Sequence, residues 1–300
     1  MPPDGGNDTG LKVACYNIAH GRGLATSNWR GGTADERKTR LSDIADLLRD
    51  FDADIVVLNE VDFDSSWSSS TNQARFLAQK AGYPYWVEQR NIDFRVLTWK
   101  WRFGNAVLSR HPIIQAAVVD FPGILPVETL FAGKKRGAIC MVNVNGVKFR
   151  ILGVHLCHRS EAIRASSAEV IKEIVSSDTL PTIVAGDFNS SPTGFPNSQT
   201  DKAAGNAMDK LVASSLFQRQ PKQPSGSPGE LAYHSARPIS VIDWILFPKN
   251  YQVLYYRVES STLSDHRPVV AELSLRPDPL YGTPAPHYRL LSIMLAPLAS

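Results

Sequence analysis

The sequence predicts an α/β protein in which stacked β-sheets carry helices on their outer faces. Ten short segments are rich in Val, Ile and aromatic residues and are bounded by Gly, Pro, Asn or Asp, as expected for β-strands. Only three segments show the apolar spacing of an amphipathic helix. Many strands with few helices are typical of packed sheets that are covered by helices on the outside.

The predicted strands recur from residue 13 to residue 275. Asn145-Gly146 separates two of them and predicts a tight hairpin, because both residues tolerate a positive φ. The strands are predicted at 13–18, 54–60, 105–109, 113–119, 138–144, 148–156, 182–187, 241–247, 251–258 and 269–275.

Three predicted helices interrupt these strands. In the first, Leu41, Ile44 and Leu48 fall on one face at helical spacing. The third begins at Ser160, a residue type that caps helix N-termini well. The helices are predicted at 35–50, 71–82 and 160–177.

Composition indicates one ordinary globular domain. The 300 residues are 43% hydrophobic and 20% charged, which is enough apolar material for a core without disulfides or structural metal. The three cysteines fit no zinc-binding spacing. A net charge of +3 is far from that of a dedicated nucleic-acid binder, although a local basic patch would still allow nucleic-acid binding.

The ends of the chain differ from its body. We expect a flexible N-terminal arm at 1–10, a single domain at 11–275 and a Pro-rich tail at 276–300. No apolar stretch is long enough for a transmembrane helix, and the N-terminus lacks the pattern of a signal peptide. The sequence does not decide between a cytoplasmic protein and one that is secreted after removal of a signal peptide.

Polar residues stand at several strand ends where a buried strand has no need of them. One is Asp243, which lies between Ile242 and Trp244 and needs a partner if it is buried. Taken singly, each residue could be a cap or a satisfied core residue, but together, in this order, they predict one catalytic metal site. The set is Asn17, Glu60, His155, Asp187, Asn189, Asp243, Asp265 and His266.

Glu60 and Asp265 provide hard anionic oxygens that suit Mg²⁺ or Mn²⁺. Asn17 adds a neutral oxygen ligand or a water anchor. An ion held there polarises a phosphoryl oxygen and stabilises the leaving oxygen. The expected cofactor is therefore one or two Mg²⁺ or Mn²⁺ ions.

The remaining members have roles in proton transfer and charge stabilisation. Asp187 is expected to orient or deprotonate the attacking water, and Asn189 to hold Asp187 or a phosphate oxygen. Asp243 is expected to bond one ring nitrogen of His266, which then acts as general base or as a donor to phosphate. His155 is expected to donate to the anionic transition state.

Seven strings in this order resemble the endonuclease/exonuclease/phosphatase superfamily. The resemblance covers about residues 11–275 and implies a four-layer α/β/β/α sandwich of two mostly antiparallel sheets, with Mg²⁺-dependent cleavage of phosphoesters. It rests on YNIAHG (16–21), VVLNEV (56–61), FGNAVLSR (103–110), GVHL (153–156), AGDFN (185–189), IDWILF (242–247) and SDHRPV (264–269).

The resemblance also sorts the site residues. It places Asn17, Glu60 and Asp265 on the metal side, and His155 at the phosphate-contacting histidine of the phosphatase, sphingomyelinase and DNase branches, which counts against abasic-site repair. The chain departs from many relatives in having Asn59 before the glutamate, where they have Gln.

Two further positions stay open between a role in the site and a local one. Asn105 is either a phosphate-side contact or a turn residue. His20 either reaches the metal or phosphate, or is a turn histidine before Gly21.

Two segments are predicted as substrate-facing loops, at 63–72 and 86–105. The second interleaves tryptophans with basic residues, among them Trp101 and Arg102. This mixture suits nucleic acid, suits a membrane interface, and is also found where tryptophans pack a loop against the body.

These observations favour a monomeric hydrolase that acts on the phosphoester of a small molecule or lipid headgroup. A DNase-like nuclease acting on DNA or RNA is the alternative, and a non-catalytic binding module on the same fold is a third hypothesis.

Overall fold

A computed structural model describes residues 10–123, 134–224 and 227–277. The predicted arm therefore lies outside the described residues except for residue 10, and the predicted tail except for residues 276 and 277. Within the described part, no helix is both long and apolar enough to span a membrane.

The first sheet has six strands in the order β11-β12-β1-β2-β4-β3. Strands β1 and β2 are parallel, and the other neighbours are antiparallel. The strands are β1 Leu11–Asn17, β2 Ile55–Asp62, β3 Tyr85–Val96, β4 Trp99–Ser109, β11 Tyr251–Val258 and β12 Val269–Pro277.

The second sheet also has six strands, in the order β5-β6-β7-β8-β10-β9. Here β7 and β8 are the parallel pair, so each sheet contains one. The strands are β5 Ile113–Asp120, β6 Arg136–Val144, β7 Val147–His155, β8 Thr182–Asp187, β9 Phe217–Arg219 and β10 Asp243–Pro248.

Four α-helices are present among the described residues, and each begins at a side-chain cap. Thr33 and Glu36 form a capping box at the first helix, and Asn72, Ser160 and Asn206 cap the others. The helices are α1 Ala34–Phe51, α2 Gln73–Ala81, α3 Glu161–Ser176 and α4 Ala207–Ala213, with short 3-10 helices at Ala19–Gly21, Asn28–Arg30, Ser66–Ser68 and Pro228–Glu230.

Three buried clusters separate four layers, as the α/β/β/α prediction requires. Strand β1 shows how alternation divides the apolar residues: Val13 and Cys15 point into the core between the sheets, whereas Ala14 and Tyr16 pack toward α1 and α2. A third cluster packs the second sheet against α3 and α4. The fold prediction is confirmed.

The structure corrects the prediction of a loop at 86–105. This segment forms most of β3 and β4, which pair as a long antiparallel hairpin. The period-two alternation of aromatic and charged residues is the pattern of a half-exposed strand, and the expectation of a substrate loop overlooked it. Helix α4 and strand β9 were also missed, since both are too short for a clear periodic signal.

Candidate active site

The site forms where the carboxyl ends of the two parallel pairs face each other. In the first sheet Asn17 of β1 is in register with Asn59 of β2. In the second sheet His155 of β7 is in register with Asp187 of β8, which in turn lies opposite Asp243 of β10. The pairing places the strand-end residues of each sheet side by side.

Asn17 joins the two sheets. Its buried Nδ2 donates to Oε1 of Glu60 and to Oδ2 of Asp187, both at 3.2 Å, while its Oδ1 accepts from the amide of Ala19 at 3.0 Å. One amide therefore fixes the separation of two carboxylates that come from different layers. In this arrangement the oxygen of Asn17 faces the backbone of Ala19.

Glu60 is turned into the site by an irregularity in its strand. The pairing of β2 with β4 shifts register between Asn59 and Val61, and Glu60 has a φ of +52°. A glutamate with positive φ is uncommon, and such backbone strain is concentrated at functional sites.

Three basic side chains surround the Glu60 carboxylate. His20 Nε2 lies 3.4 Å and Arg22 Nη1 3.1 Å from Oε2, and His155 Nε2 lies 3.9 Å from Oε1. Burial alone would raise the pKa of Glu60, but the positive charges that His20, His155 and Arg22 carry at acid pH outweigh it and hold the pKa well below its usual range.

Arg22 bridges the two carboxylates that the sequence places on the metal side. Its Nη1 donates to Glu60 and its Nη2 donates to Oδ2 of Asp265 at 2.9 Å. All three side chains are less than a quarter exposed, so the pairing takes place largely out of solvent. The sequence reasoning gave Arg22 no role.

Asp243 and His266 form the predicted carboxylate–histidine pair. His266 Nδ1 is 2.8 Å from Asp243 Oδ2, and its Nε2 is 3.8 Å from Asp187 Oδ2. Burial would lower the pKa of His266, but the carboxylates of Asp243 and Asp187 raise it to about 10. The imidazole is therefore protonated at neutral pH and can donate from Nε2.

The pKa values of Asp187 and His155 shift in the directions that burial favours. Burial raises the pKa of Asp187, although His266 opposes the shift. Burial, assisted by the charge of Lys135, lowers the pKa of His155 to about 4, so this histidine is neutral at pH 7. The backbone amide of Asn189 donates to Asp187 Oδ1 at 2.8 Å, while the Asn189 side chain donates through Nδ2 to the carbonyl of Leu156 at 3.2 Å.

Asn59 lies beneath the site and connects the layers. Its Nδ2 donates to Asn105 Oδ1 and to the carbonyl of Val154, and its Oδ1 accepts from the Asp187 amide at 2.9 Å. Gly186 makes this approach possible: a Cβ there would lie 2.1 Å from the Val154 carbonyl oxygen and 2.8 Å from Asn59 Oδ1. Asn59 thus fixes the backbone that carries Asp187.

A second histidine–carboxylate pair lies next to Glu60. His20 Nδ1 is 2.7 Å from Asp62 Oδ1, and Trp67 Nε1 donates to the other oxygen of Asp62 at 2.7 Å. Burial opposes protonation of His20, but Asp62 and Glu60 raise its pKa. His20 is thus both a residue of a 3-10 turn and a neighbour of the metal-side carboxylate.

The remaining candidates lie apart from this cluster. Asn105 is completely buried within β4, and its Nδ2 donates to Gln89 and to the carbonyl of Arg136, so it contacts the site through Asn59. Trp101 packs edge-on against Trp67. Arg102 pairs with Asp93 and Asp64 on the opposite face of the hairpin.

The geometry adds residues that sequence reasoning did not assign to the site. Arg22 and Asp62 contact its histidine and carboxylates, and the Tyr233 ring packs against His266 at a centroid distance of 4.8 Å. In the sequence, the available signal for Asp62 was its position, two residues after Glu60. For Arg22, only the three-dimensional proximity to Glu60 and Asp265 reveals a role.

The donor chemistry fits a hard divalent cation. Asp187, Asp243 and His266 each place a potential ligand atom within 4.8 Å of the others, although His266 could ligate an ion only after losing its proton. Asp243 Oδ1 is buried with no hydrogen-bond partner among the described residues. Glu60 and Asp265 form a second oxygen-rich position, which the Arg22 guanidinium shares. Carboxylate oxygens in this number suit Mg²⁺ or Mn²⁺.

The sequence profile of the Endonuclease/Exonuclease/phosphatase family matches residues 14–266. The chain belongs to this family. The match includes every predicted catalytic and metal-side residue, from Asn17 to His266. No curated protein matches the chain in a sequence comparison.

Solved structures share the fold at low sequence identity. An endonuclease/exonuclease/phosphatase from Beutenbergia cavernae is 21% identical, with a TM-score of 0.67 over 89% of this chain and 72% of the other. The mannosyl-6-phosphatase Bt3783 of Bacteroides thetaiotaomicron is 19% identical, with a TM-score of 0.63 over 88% and 99%. Sphingomyelinase C from Streptomyces griseocarneus is 19% identical, with a TM-score of 0.59 over 88% and 99%.

Proposed function

We propose that this family member hydrolyses phosphoesters of a small molecule or lipid headgroup with the help of Mg²⁺ or Mn²⁺. The observation that carries the proposal is the double contact of Asn17, which holds Glu60 of one sheet and Asp187 of the other at 3.2 Å each. A metal-side carboxylate and a water-side carboxylate therefore border one small space, as in-line attack on a phosphate requires.

In this proposal Glu60 and Asp265 hold the cation, which supplies polarisation of the phosphoryl oxygen when bound. Asn17 keeps Glu60 in place relative to Asp187. Arg22 already contacts one oxygen of each of these carboxylates, so its guanidinium would compete with the cation for them.

The proton chemistry belongs to the second sheet. Asp187, with its raised pKa, accepts a proton from the attacking water, and the amide of Asn189 orients it. His266, kept protonated by Asp243, donates to a phosphate oxygen. His155 is neutral and donates its remaining N–H to the oxygen on which charge develops.

The test is release of product from bis-p-nitrophenyl phosphate, sphingomyelin and phosphoinositides with Mg²⁺, with Mn²⁺ and with EDTA. We expect metal-dependent release, with a loss of roughly a hundredfold or more for Asp187→Ala and His266→Ala. Asp178→Ala is the matched control, because Asp178 is a surface carboxylate paired with Arg150. If no ester is cleaved in a metal-dependent way, the proposal is wrong.

A nuclease is the second candidate, and the aromatic and basic hairpin β3–β4 is the feature that favours it. Nicking of plasmid DNA that falls steeply with salt concentration would support it, since phosphate contacts release counterions. A binding module without chemistry is disfavoured, because all eight predicted catalytic and metal-side residues are present.

A further inference from the structure

The turn between β3 and β4 exposes large apolar side chains. Leu97 is 85% exposed, Trp99 61% and Phe94 52%, and Val96 is also about half exposed. Scattered exposed apolar residues are normal, but a contiguous group of this kind marks an interaction surface. We call the group Phe94, Val96, Leu97, Trp99 and Trp101 the hairpin tip.

The hairpin has one apolar face and one charged face. Cross-strand partners share a face, and the tip pairs Phe94 with Trp101 and Val96 with Trp99. The intervening pairs are Asp93 with Arg102 and Arg95 with Lys100. The apolar residues are therefore gathered on one side of an extended two-stranded arm.

Folding does not explain the residue at the turn. Leu97 has a φ of +51°, a conformation that Gly and Asn adopt more easily than Leu. Its side chain gains nothing from packing because it is 85% exposed. Both the backbone and the solvent disfavour leucine here, which indicates an apolar partner beyond the described residues.

The apolar face leads from the tip to the site. The Trp29 ring contacts Trp99 at 5.4 Å and Trp67 at 6.0 Å between centroids. Trp67 contacts Trp101 at 5.3 Å and His20 at 6.1 Å. His20 in turn lies beside Glu60, so a continuous series of aromatic contacts connects the tip with the candidate site.

Positive charge lies beside the hairpin tip. Arg95 lies between Phe94 and Val96, on the charged face of the hairpin, and Arg30 follows Trp29; both are exposed, and neither has an ion pair with another described residue. Lys100 pairs with Asp64 beside them. Tryptophan with adjacent basic residues is the composition that lies at headgroup depth in a bilayer.

We propose that the hairpin tip inserts into the surface of a phospholipid bilayer, with Arg95 and Arg30 against lipid phosphates. The inference rests on the proposed function for its substrate: the bound lipid headgroup would lie next to His20 and Glu60. Aliphatic Leu97 and Val96 gain from entering hydrocarbon but offer no flat ring to a nucleic-acid base, so they favour a bilayer over single-stranded nucleic acid.

The test is flotation of the full chain with vesicles of phosphatidylcholine and of phosphatidylcholine mixed with phosphatidylglycerol, in EDTA so that nothing is hydrolysed. Leu97→Asn places a residue that suits the turn conformation, and a second variant adds Phe94→Ser. Leu254→Asn is the matched control, because Leu254 is 48% exposed on β11 at the opposite edge of the same sheet.

We expect the wild-type chain to float, with more bound to the anionic vesicles. The double variant should lose roughly tenfold in partitioning, Leu254→Asn should bind like the wild type, and all variants should keep their melting temperature and their rate on bis-p-nitrophenyl phosphate. Failure of the wild type to float, or equal flotation of the double variant, overturns the inference.

Two outcomes separate this inference from its alternatives. If the wild-type chain binds a single-stranded oligonucleotide, and the double variant loses this binding but keeps its binding to vesicles, then the partner of the tip is nucleic acid and the bilayer inference is wrong. Flotation without any metal-dependent ester cleavage would leave the tip as a bilayer contact and refute the proposed function instead.

Discussion

Replacing Arg22 by Gln removes the guanidinium that joins Glu60 to Asp265, and we expect this to tighten Mn²⁺ binding. The two contacts are 3.1 and 2.9 Å long and largely out of solvent. A hydrogen bond between charged groups contributes about 1.5–3 kcal/mol net, and we expect a divalent ion that takes the carboxylate oxygens bound by Arg22 to displace at least one of these two contacts. Because about 1.4 kcal/mol corresponds to tenfold in affinity, Arg22→Gln should lower the Kd for Mn²⁺ at least about tenfold.

Calorimetric titration of metal-free protein with Mn²⁺ measures this. Without metal, the variant should also melt at a lower temperature, because two carboxylates lose their counter-charge, and it should gain more from added Mn²⁺. Arg22→Lys keeps the positive charge, so its Kd for Mn²⁺ should lie between those of the wild type and Arg22→Gln. Arg110→Gln is the control, since Arg110 pairs with Asp52 at the other end of β2. Equal or weaker Mn²⁺ binding by Arg22→Gln would show that Arg22 supports the ion instead of competing with it.

The other predictions concern the support of the site. Asn59→Ala should lower the free energy of unfolding by about 3 kcal/mol or more in urea titrations, because it leaves buried partners unsatisfied; a loss below about 1 kcal/mol would contradict the role of Asn59. Gly186→Ala should destabilise the fold and reduce kcat, since its Cβ meets Val154 and Asn59. In EDTA, the stability that protonated His266 contributes is complete below its unfolded pKa, about 6.5. This contribution to stability should decline as the pH rises toward about 10, the pKa of His266 in the folded chain. Urea titrations at a series of pH values should show the decline in the wild type and not in His266→Gln.

Much of the fold could be predicted because local physics leaves a clear pattern. Strands β1, β2 and β8 are apolar runs that end in polar residues, and the capped helices have strong periodicity. The hairpin β3–β4 was missed although its aromatic and charged residues alternate, because exposed aromatic residues beside basic ones also resemble a binding segment.

The sequence by itself determined the residue types of the site and their order, because each motif is local to one strand end. Only the tertiary structure decided which of them meet. Asn17 reaches Asp187 across 170 positions, and Arg22 reaches Asp265 across 243. Such contacts depend on how two sheets pack and on the strand register within each, and neither is encoded within a single motif. For the same reason, Arg22, Asp62 and Asn59 acquire their connection to the site only in the folded chain.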